Sequence, residues 1–205
     1  MSQITSGLRT ILSIPFVYSS FQILMGAKTI WESLAKDVMQ AKPGMTILDI
    51  GCGPADILDY LPEGVEYYGF DISSEYIQTA QKKYGDKGHF ICKLLQESDL
   101  NTLPKFDCVV LMGVFHHMDD IQAKKMAKLA HQALKVGGKL VSIDPCYTPE
   151  QNPIARFLIS KDRGQNVRVG SAYKAVVNRT FKHISTQIVH RAWIPYTHFY
   201  MVCTK

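Results

Sequence analysis

Asp49, Gly51, Gly53 and Asp71 stand at a spacing that suits a nucleoside. Ile47-Leu48-Asp49-Ile50 reads as a buried strand, and Gly51-Cys52-Gly53 as the tight turn out of it. Gly51 permits the turn, and Gly53 lets a ligand approach the backbone. Asp71 follows Gly51 by twenty residues, at the end of the next strand. A carboxylate there can accept hydrogen bonds from both hydroxyls of a ribose. Asp56 narrows the choice of cofactor. It occupies the third position of a dinucleotide fingerprint, where glycine or alanine is wanted, and a carboxylate beside a pyrophosphate is repelled by more than about 1 kcal/mol even when strongly screened. S-adenosylmethionine has no phosphate and carries cationic groups, so a loop with Asp49 and Asp56 suits it better. An NAD-dependent oxidoreductase is the rival reading. Asp49 equally reads as an anchor for the loop's own amides.

The elements that position these residues are legible from periodicity. Lys28 to Met39 places Ile30, Trp31, Leu34, Ala35, Val38 and Met39 on one helical face. Met45 to Ile50 is the first strand, and Pro54 to Leu61 is expected to open a helix. Glu66 to Phe70 forms the second strand, and Ser73 or Ser74 caps a helix carrying Tyr76, Ala80 and Tyr84. His89 to Leu94 and Asp107 to Met112 are the third and fourth strands. Asp119 or Asp120 caps a helix with Met126, Leu129, Ala130, Ala133 and Leu134 inward; Gly137-Gly138 ends it, and Lys139 to Ile143 is the fifth strand. Strands alternating with helices imply a mostly parallel α/β sheet with right-handed crossovers. After a helix at Ser171 to Val177, the runs His183 to His190 and Thr197 to Thr204 are joined by a short turn, which forces an antiparallel pair.

Composition bounds the class. The 205 residues are 46% apolar and 20% charged, which excludes a disordered or disulfide-stapled chain. The net charge is +5 with scattered basic residues, so no specific nucleic-acid partner is expected. Five widely spaced cysteines without a CxxC pair point to reduced thiols in the cytoplasm and to no metal site. Thr10 to Ala27 lacks charge, but Pro15, Gln22 and several serines interrupt it. It reads as an N-terminal arm, without stable membrane insertion. One domain is expected over 1–205: an arm and helix over 1–40, a core over 41–205, and an acceptor-side insertion over 146–170.

The segments LDIGCGPADIL, GFDIS, FDCVVLMGVFHHM and ALKVGGKLVSIDP together resemble the motifs of class I S-adenosylmethionine-dependent methyltransferases, over roughly residues 45 to 145. The resemblance implies a Rossmann-like, doubly wound α/β sheet of seven strands in the order 3-2-1-4-5-7-6, with the antiparallel hairpin at its C-terminal end. It implies S-adenosylmethionine as cofactor, with Asp49, Gly51, Cys52, Gly53, Asp71, Ile72, Leu95, Gln96, Met112 and Gly113 as its contacts. Ala55 replaces the family's frequent third glycine, and Leu94-Leu95-Gln96-Glu97 departs from its adenine-binding acid.

In such enzymes the turn after the fourth strand carries the acceptor chemistry. Met112-Gly113-Val114-Phe115-His116-His117 is not the Asn/Asp-Pro-Pro-Tyr turn of enzymes that methylate planar amino nitrogens, which leaves a small-molecule hydroxyl as the leading acceptor. An alcohol must lose a proton, and a histidine can take it. His117 and His116 are the candidates, with helix capping and packing as the plainer alternative. Tyr18, Asp144, Arg156 and Arg163 are candidate acceptor contacts, the arginines for a carboxylate or phosphate. Cys146 reads as a packed thiol. An RNA-modifying enzyme and a non-catalytic cofactor-binding domain are the alternatives.

Overall fold

The computed structural model describes residues 27–191 and 195–205. Helix α1 (Ala27–Ser33) continues as a wider π-helical turn, Leu34–Val38, that buries Leu34 and Ala35. Then follow β1 (Thr46–Ile50), β2 (Glu66–Asp71), α2 (Ser74–Tyr84), β3 (His89–Cys92) and β4 (Phe106–Met112). Helix α3 (Asp120–Ala133) leads into β5 (Leu134–Tyr147), and α4 (Pro153–Ser160) into β6 (Arg168–Val169). Helix α5 (Gly170–Val177) precedes the hairpin β7 (His183–Arg191) and β8 (Tyr196–Thr204).

The sheet order is β3-β2-β1-β4-β5-β8-β7, and the two-residue β6 pairs with β5 off this path. Strands β1 to β5 pair in parallel, while β5–β8 and β7–β8 are antiparallel. This is the order the motifs imply, with the last two strands renumbered by β6. Every residue of β1 is buried, as a strand flanked on both sides and covered on both faces must be. In β8 burial alternates residue by residue, inward at Thr197, Phe199, Met201 and Cys203.

The two faces carry separate apolar layers. Leu48, Ile50, Val109 and Leu111 meet Met126, Leu129 and Ala130 of α3 and Tyr173, Val176 and Val177 of α5. On the other face Ile47, Cys108 and Val110 meet Leu34 and Met39 of the N-terminal helical segment and Ala80 and Tyr84 of α2. Helices on both faces leave the carboxyl ends of the parallel strands open, which is where such sheets bind ligands.

Two local expectations are corrected. The segment after the glycine turn is no α-helix but one short 3-10 turn, Asp56–Tyr60, entered through Ala55 at φ +61°. Ala55 sits in the left-handed region that a residue other than glycine seldom adopts. The double glycine does not end α3 either. The helix stops at Ala133, and Gly137 and Gly138 lie inside β5, where a side chain at Gly138 would strike the carbonyls of Lys135, Phe106 and Asp107 at 3.0–3.1 Å.

Candidate functional site

A cavity of about 330 Å3 opens at the carboxyl ends of β1, β2 and β4, in the size range of small-molecule sites. Ile50, Gly51 and Gly53 form one wall, and Phe70, Asp71, Ile72 and Ser73 the next. Lys93, Leu94 and Leu95 follow β3, while Met112, Gly113, Val114, His117 and Met118 close the side after β4. Tyr76 and Glu75, from the first turn of α2, and Arg163, from the segment after α4, complete it.

The glycine turn is folded onto the second strand. The amides of Gly51 and Cys52 both donate to the Phe70 carbonyl, at 2.7 and 3.1 Å, and the Ala55 amide donates to the Cys52 carbonyl at 3.0 Å. The Gly53 amide donates to Asp71 Oδ2 at 2.9 Å. Gly51 is obligatory twice over: its φ is +77°, and a Cβ there would lie 2.7 Å from Val114 Cγ2.

Asp71 is the hinge of this arrangement. Its other oxygen accepts the Ser73 amide at 2.8 Å, and Ser73 in turn caps α2 through the Tyr76 amide at 3.3 Å. Burial raises the Asp71 carboxyl above the usual carboxylate range, opposed by the amides of Ser73, Gly53 and Ile72. Asp49 lies deeper, beneath the turn. Tyr67 donates its hydroxyl to Asp49 Oδ2 at 2.7 Å, and the buried Oδ1 has no partner among the described residues. Desolvation pushes the Asp49 carboxyl up to about 7.

The two adjacent histidines have opposite surroundings. His116 is buried with its Nδ1 2.9 Å from Asp144 Oδ1 and its Nε2 3.2 Å from Asp162 Oδ1. Those two carboxylates overcome desolvation and raise its pKa to about 9. Both ring nitrogens being occupied, His116 cannot serve as a base. His117 lines the cavity, its ring tilted by 40° against that of His116 with centroids 4.0 Å apart. Burial and the neighbouring imidazolium hold its pKa down at about 3, and its buried Nδ1 has no partner among the described residues. His116, His117 and Asp162 have ligand atoms within 4.8 Å of one another, and within this group His116 Nε2 and Asp162 Oδ1 are already paired with each other.

Of the residues expected from the sequence, Gly51, Gly53, Asp71, Ile72, Leu95, Met112, Gly113, His117 and Arg163 line the cavity. The others do not. Gln96 is spent capping the 3-10 turn Glu97–Asn101 through Asp99, Asp144 holds His116, and Arg156 lies over the Tyr147 ring at 5.3 Å. Cys52 packs on Gly69, and Asp56 is paired with Lys83 at 2.9 Å, so its charge is not presented to a ligand. Cys146 is a buried free thiol, as are Cys108 and Cys203. Tyr18 lies outside the described residues. Sequence reasoning missed Tyr76 and Lys93: Tyr76 sits at helical spacing with Ala80 and Tyr84, which reads as core, and only Ala80 and Tyr84 are buried.

Residues 48–140 match the family profile described as a methyltransferase domain. Phosphoethanolamine N-methyltransferase 1 of Zea mays is 29% identical over 170 residues, which cover 78% of this chain and 32% of that protein. Cyclopropane-fatty-acyl-phospholipid synthase of Escherichia coli K12 is 39% identical over 83 residues, 39% of this chain and 21% of that protein. The chain therefore spans about a third or less of these curated relatives. The solved structure of human N-acetylserotonin methyltransferase in complex with S-adenosylmethionine shares the fold at a TM-score of 0.61 and 19% identity, covering 98% of this chain and 60% of that one. Among the described residues no helix is long and apolar enough to cross a membrane.

Proposed function

We propose that this chain, which carries a class I S-adenosylmethionine-dependent methyltransferase domain, binds that cofactor in the 330 Å3 cavity and methylates a small molecule at a hydroxyl oxygen. The observation that carries the choice of cofactor is the direction of the loop amides. Gly51, Cys52, Gly53 and Ala55 donate inward, and Pro54 has no N–H, so the turn offers no cradle to a pyrophosphate. A 3-10 turn follows in place of the α-helix whose N-terminus holds phosphate in dinucleotide sites. The Asp56 argument from sequence reaches the same choice for a weaker reason, because Lys83 offsets that charge.

The residues fit the group. Asp49 lies beneath the glycine turn and not at the cavity wall, with its Oδ1 unpaired among the described residues, so a cationic amino group in the cavity above would favour its charged form through space. Asp71 keeps lone pairs beyond its two amide bonds for ribose hydroxyls. Ile72, Leu94 and Leu95 give a flat base an apolar slot beside Asp71. When bound, S-adenosylmethionine supplies a methyl group on a sulfonium, an electrophile with an excellent leaving group.

This chain's own work is then alignment. His117 is uncharged at neutral pH and offers a lone pair at the cavity wall. A hydroxyl donating to that lone pair is fixed in direction. A base held near 3 orients a proton far better than it removes one. Arg163 supplies a guanidinium for an anionic group on the acceptor.

Thermal unfolding with S-adenosylhomocysteine and with NADH tests the cofactor reading. S-adenosylhomocysteine is expected to raise Tm and NADH to leave it unchanged; the opposite ranking overturns it. With an acceptor in hand, His117→Ala is expected to lower kcat by tenfold or more while the affinity for S-adenosylhomocysteine changes less than twofold.

A further inference from the structure

The turn Asp162-Arg163-Gly164 rests directly on His116. Asp162 Oδ1 pairs with His116 Nε2 at 3.2 Å and accepts the Gly164 amide at 2.8 Å, while Oδ2 accepts the Tyr196 hydroxyl of β8 at 2.8 Å. On the opposite edge of the ring, Asp144 of β5 takes Nδ1 at 2.9 Å and the His116 amide at 3.1 Å. The Asn166 amide returns to the His116 carbonyl at 2.9 Å. A Cβ on Gly164 would lie 1.9 Å from His116 Cδ2, so the turn's backbone and the imidazole are in contact. Arg163, between these two anchored residues, lines the cavity together with Tyr76 of α2, and its charge acts on the Tyr76 hydroxyl.

We infer that Asp162 is a positioning residue of the proposed acceptor site: through His116 it holds Arg163 across the cavity and His117 against its wall. Apolar packing would hold a turn without desolvating three charged groups. What the ion pairs add is orientation, because each fixes a specific atom. The groups facing His116 are Asp144 from β5, Asp162 from the turn, His117 beside it and His198 from β8, the last held neutral with its pKa near 4. An imidazolium donates to both carboxylates, whereas a neutral ring donates to one. When His116 loses its proton, one carboxylate loses its ring N–H donor; with the Asp144 side retaining the proton, Asp162 is held only by the Gly164 amide and the Tyr196 hydroxyl, and the turn that carries Arg163 loosens.

The inference rests on the proposed acceptor site for its functional meaning, but its test does not. Histidine imidazole spectra and carbon-detected arginine side-chain spectra are recorded on the cofactor-free protein from pH 6 to 10. The Arg163 resonance is expected to be narrow below pH 8 and to broaden with the same midpoint as His116. Asp162→Asn is expected to lower the His116 midpoint by at least one pH unit and to broaden Arg163 already at pH 7. Asp162→Glu, which keeps the charge, is expected to move both back toward wild type. A merely structural role would lower Tm without moving the Arg163 signal. An Arg163 resonance indifferent to the His116 titration overturns the inference, and the wild-type series alone decides it if the variants do not fold. Failure to bind S-adenosylhomocysteine would remove the cofactor reading and leave this coupling standing.

Discussion

Asp71 Oδ2 accepts the amide of Gly53 at 2.9 Å, so the acid that ends β2 holds the glycine turn that ends β1. Its second oxygen holds Ser73 at the start of α2. Asparagine can accept only one of these amides, and its own NH2 would face the other. Asp71→Asn is therefore expected to destabilise the cofactor-free protein by roughly 1.5–3 kcal/mol, the worth of one charge-assisted bond, and also to weaken S-adenosylhomocysteine binding tenfold or more. Urea unfolding and calorimetric titration measure the two effects separately. An unchanged unfolding midpoint would show that the two amide bonds contribute nothing.

Asp49 links cofactor binding to a proton. Its carboxyl is pushed up to about 7 by burial, so it is largely protonated at pH 6. A cationic amino group in the cavity above Asp49 favours the carboxylate, so binding should release a fraction of a proton at pH 6 and almost none above pH 8. Titrations of S-adenosylhomocysteine in phosphate and in histidine buffer, which differ in ionisation heat, read that proton directly. Asp49→Asn should abolish the buffer difference. The same heat in both buffers for the wild type would place the amino group away from Asp49.

The His116 clamp sets a pH limit on stability. Its folded pKa of about 9 lies above the unfolded value near 6.5, so its contribution is complete below about pH 6.5 and fades as pH rises through 9. Between those values the wild type should lose on the order of 2 kcal/mol relative to His116→Gln. Asp162 limits the other side: held below the usual carboxylate range by His116, it contributes above about pH 4 and loses that contribution as pH falls. Denaturant unfolding from pH 3 to 10 would show a maximum between these limits. A profile flat from 6.5 to 9 would contradict the paired imidazolium.

Gly164 leaves no room for a methyl group. Its Cβ position is 1.9 Å from His116 Cδ2 and 2.8 Å from the His116 carbonyl, a backbone atom that cannot step aside. Gly164→Ala is expected to cost about 1–3 kcal/mol as an overpacking change, read as a fall in Tm. Gly53→Ala meets nothing within 4 Å and is strained only by its φ of +55°, so its fall should be the smaller. The reverse order would mean that the turn does not sit on His116.

Short-range chemistry made much of this protein legible without coordinates. Alternation and burial-scale apolar runs locate β1, β2, β4 and the terminal hairpin, because a strand buried on two faces must be apolar throughout. The turn at Gly51 and the acid at Asp71 follow from spacing, since one short turn, one connection and the second strand separate them. Capping chemistry locates Ser73 and Asp119, each of which accepts an amide three residues on.

Tertiary structure decided what the side chains face. His116 and His117 are neighbours in sequence with the same side chain, yet one is a clamped imidazolium and the other an uncharged acceptor. The difference comes from Asp144 and Asp162, which reach the pair from 28 and 46 positions away. Asp56 and Gln96 were spent on Lys83 and on a 3-10 cap, and Tyr76 was turned from the core into the cavity. Periodicity reports which residues share a face; it carries no term for the charges that long-range packing brings against that face, and those charges set the chemistry of the site.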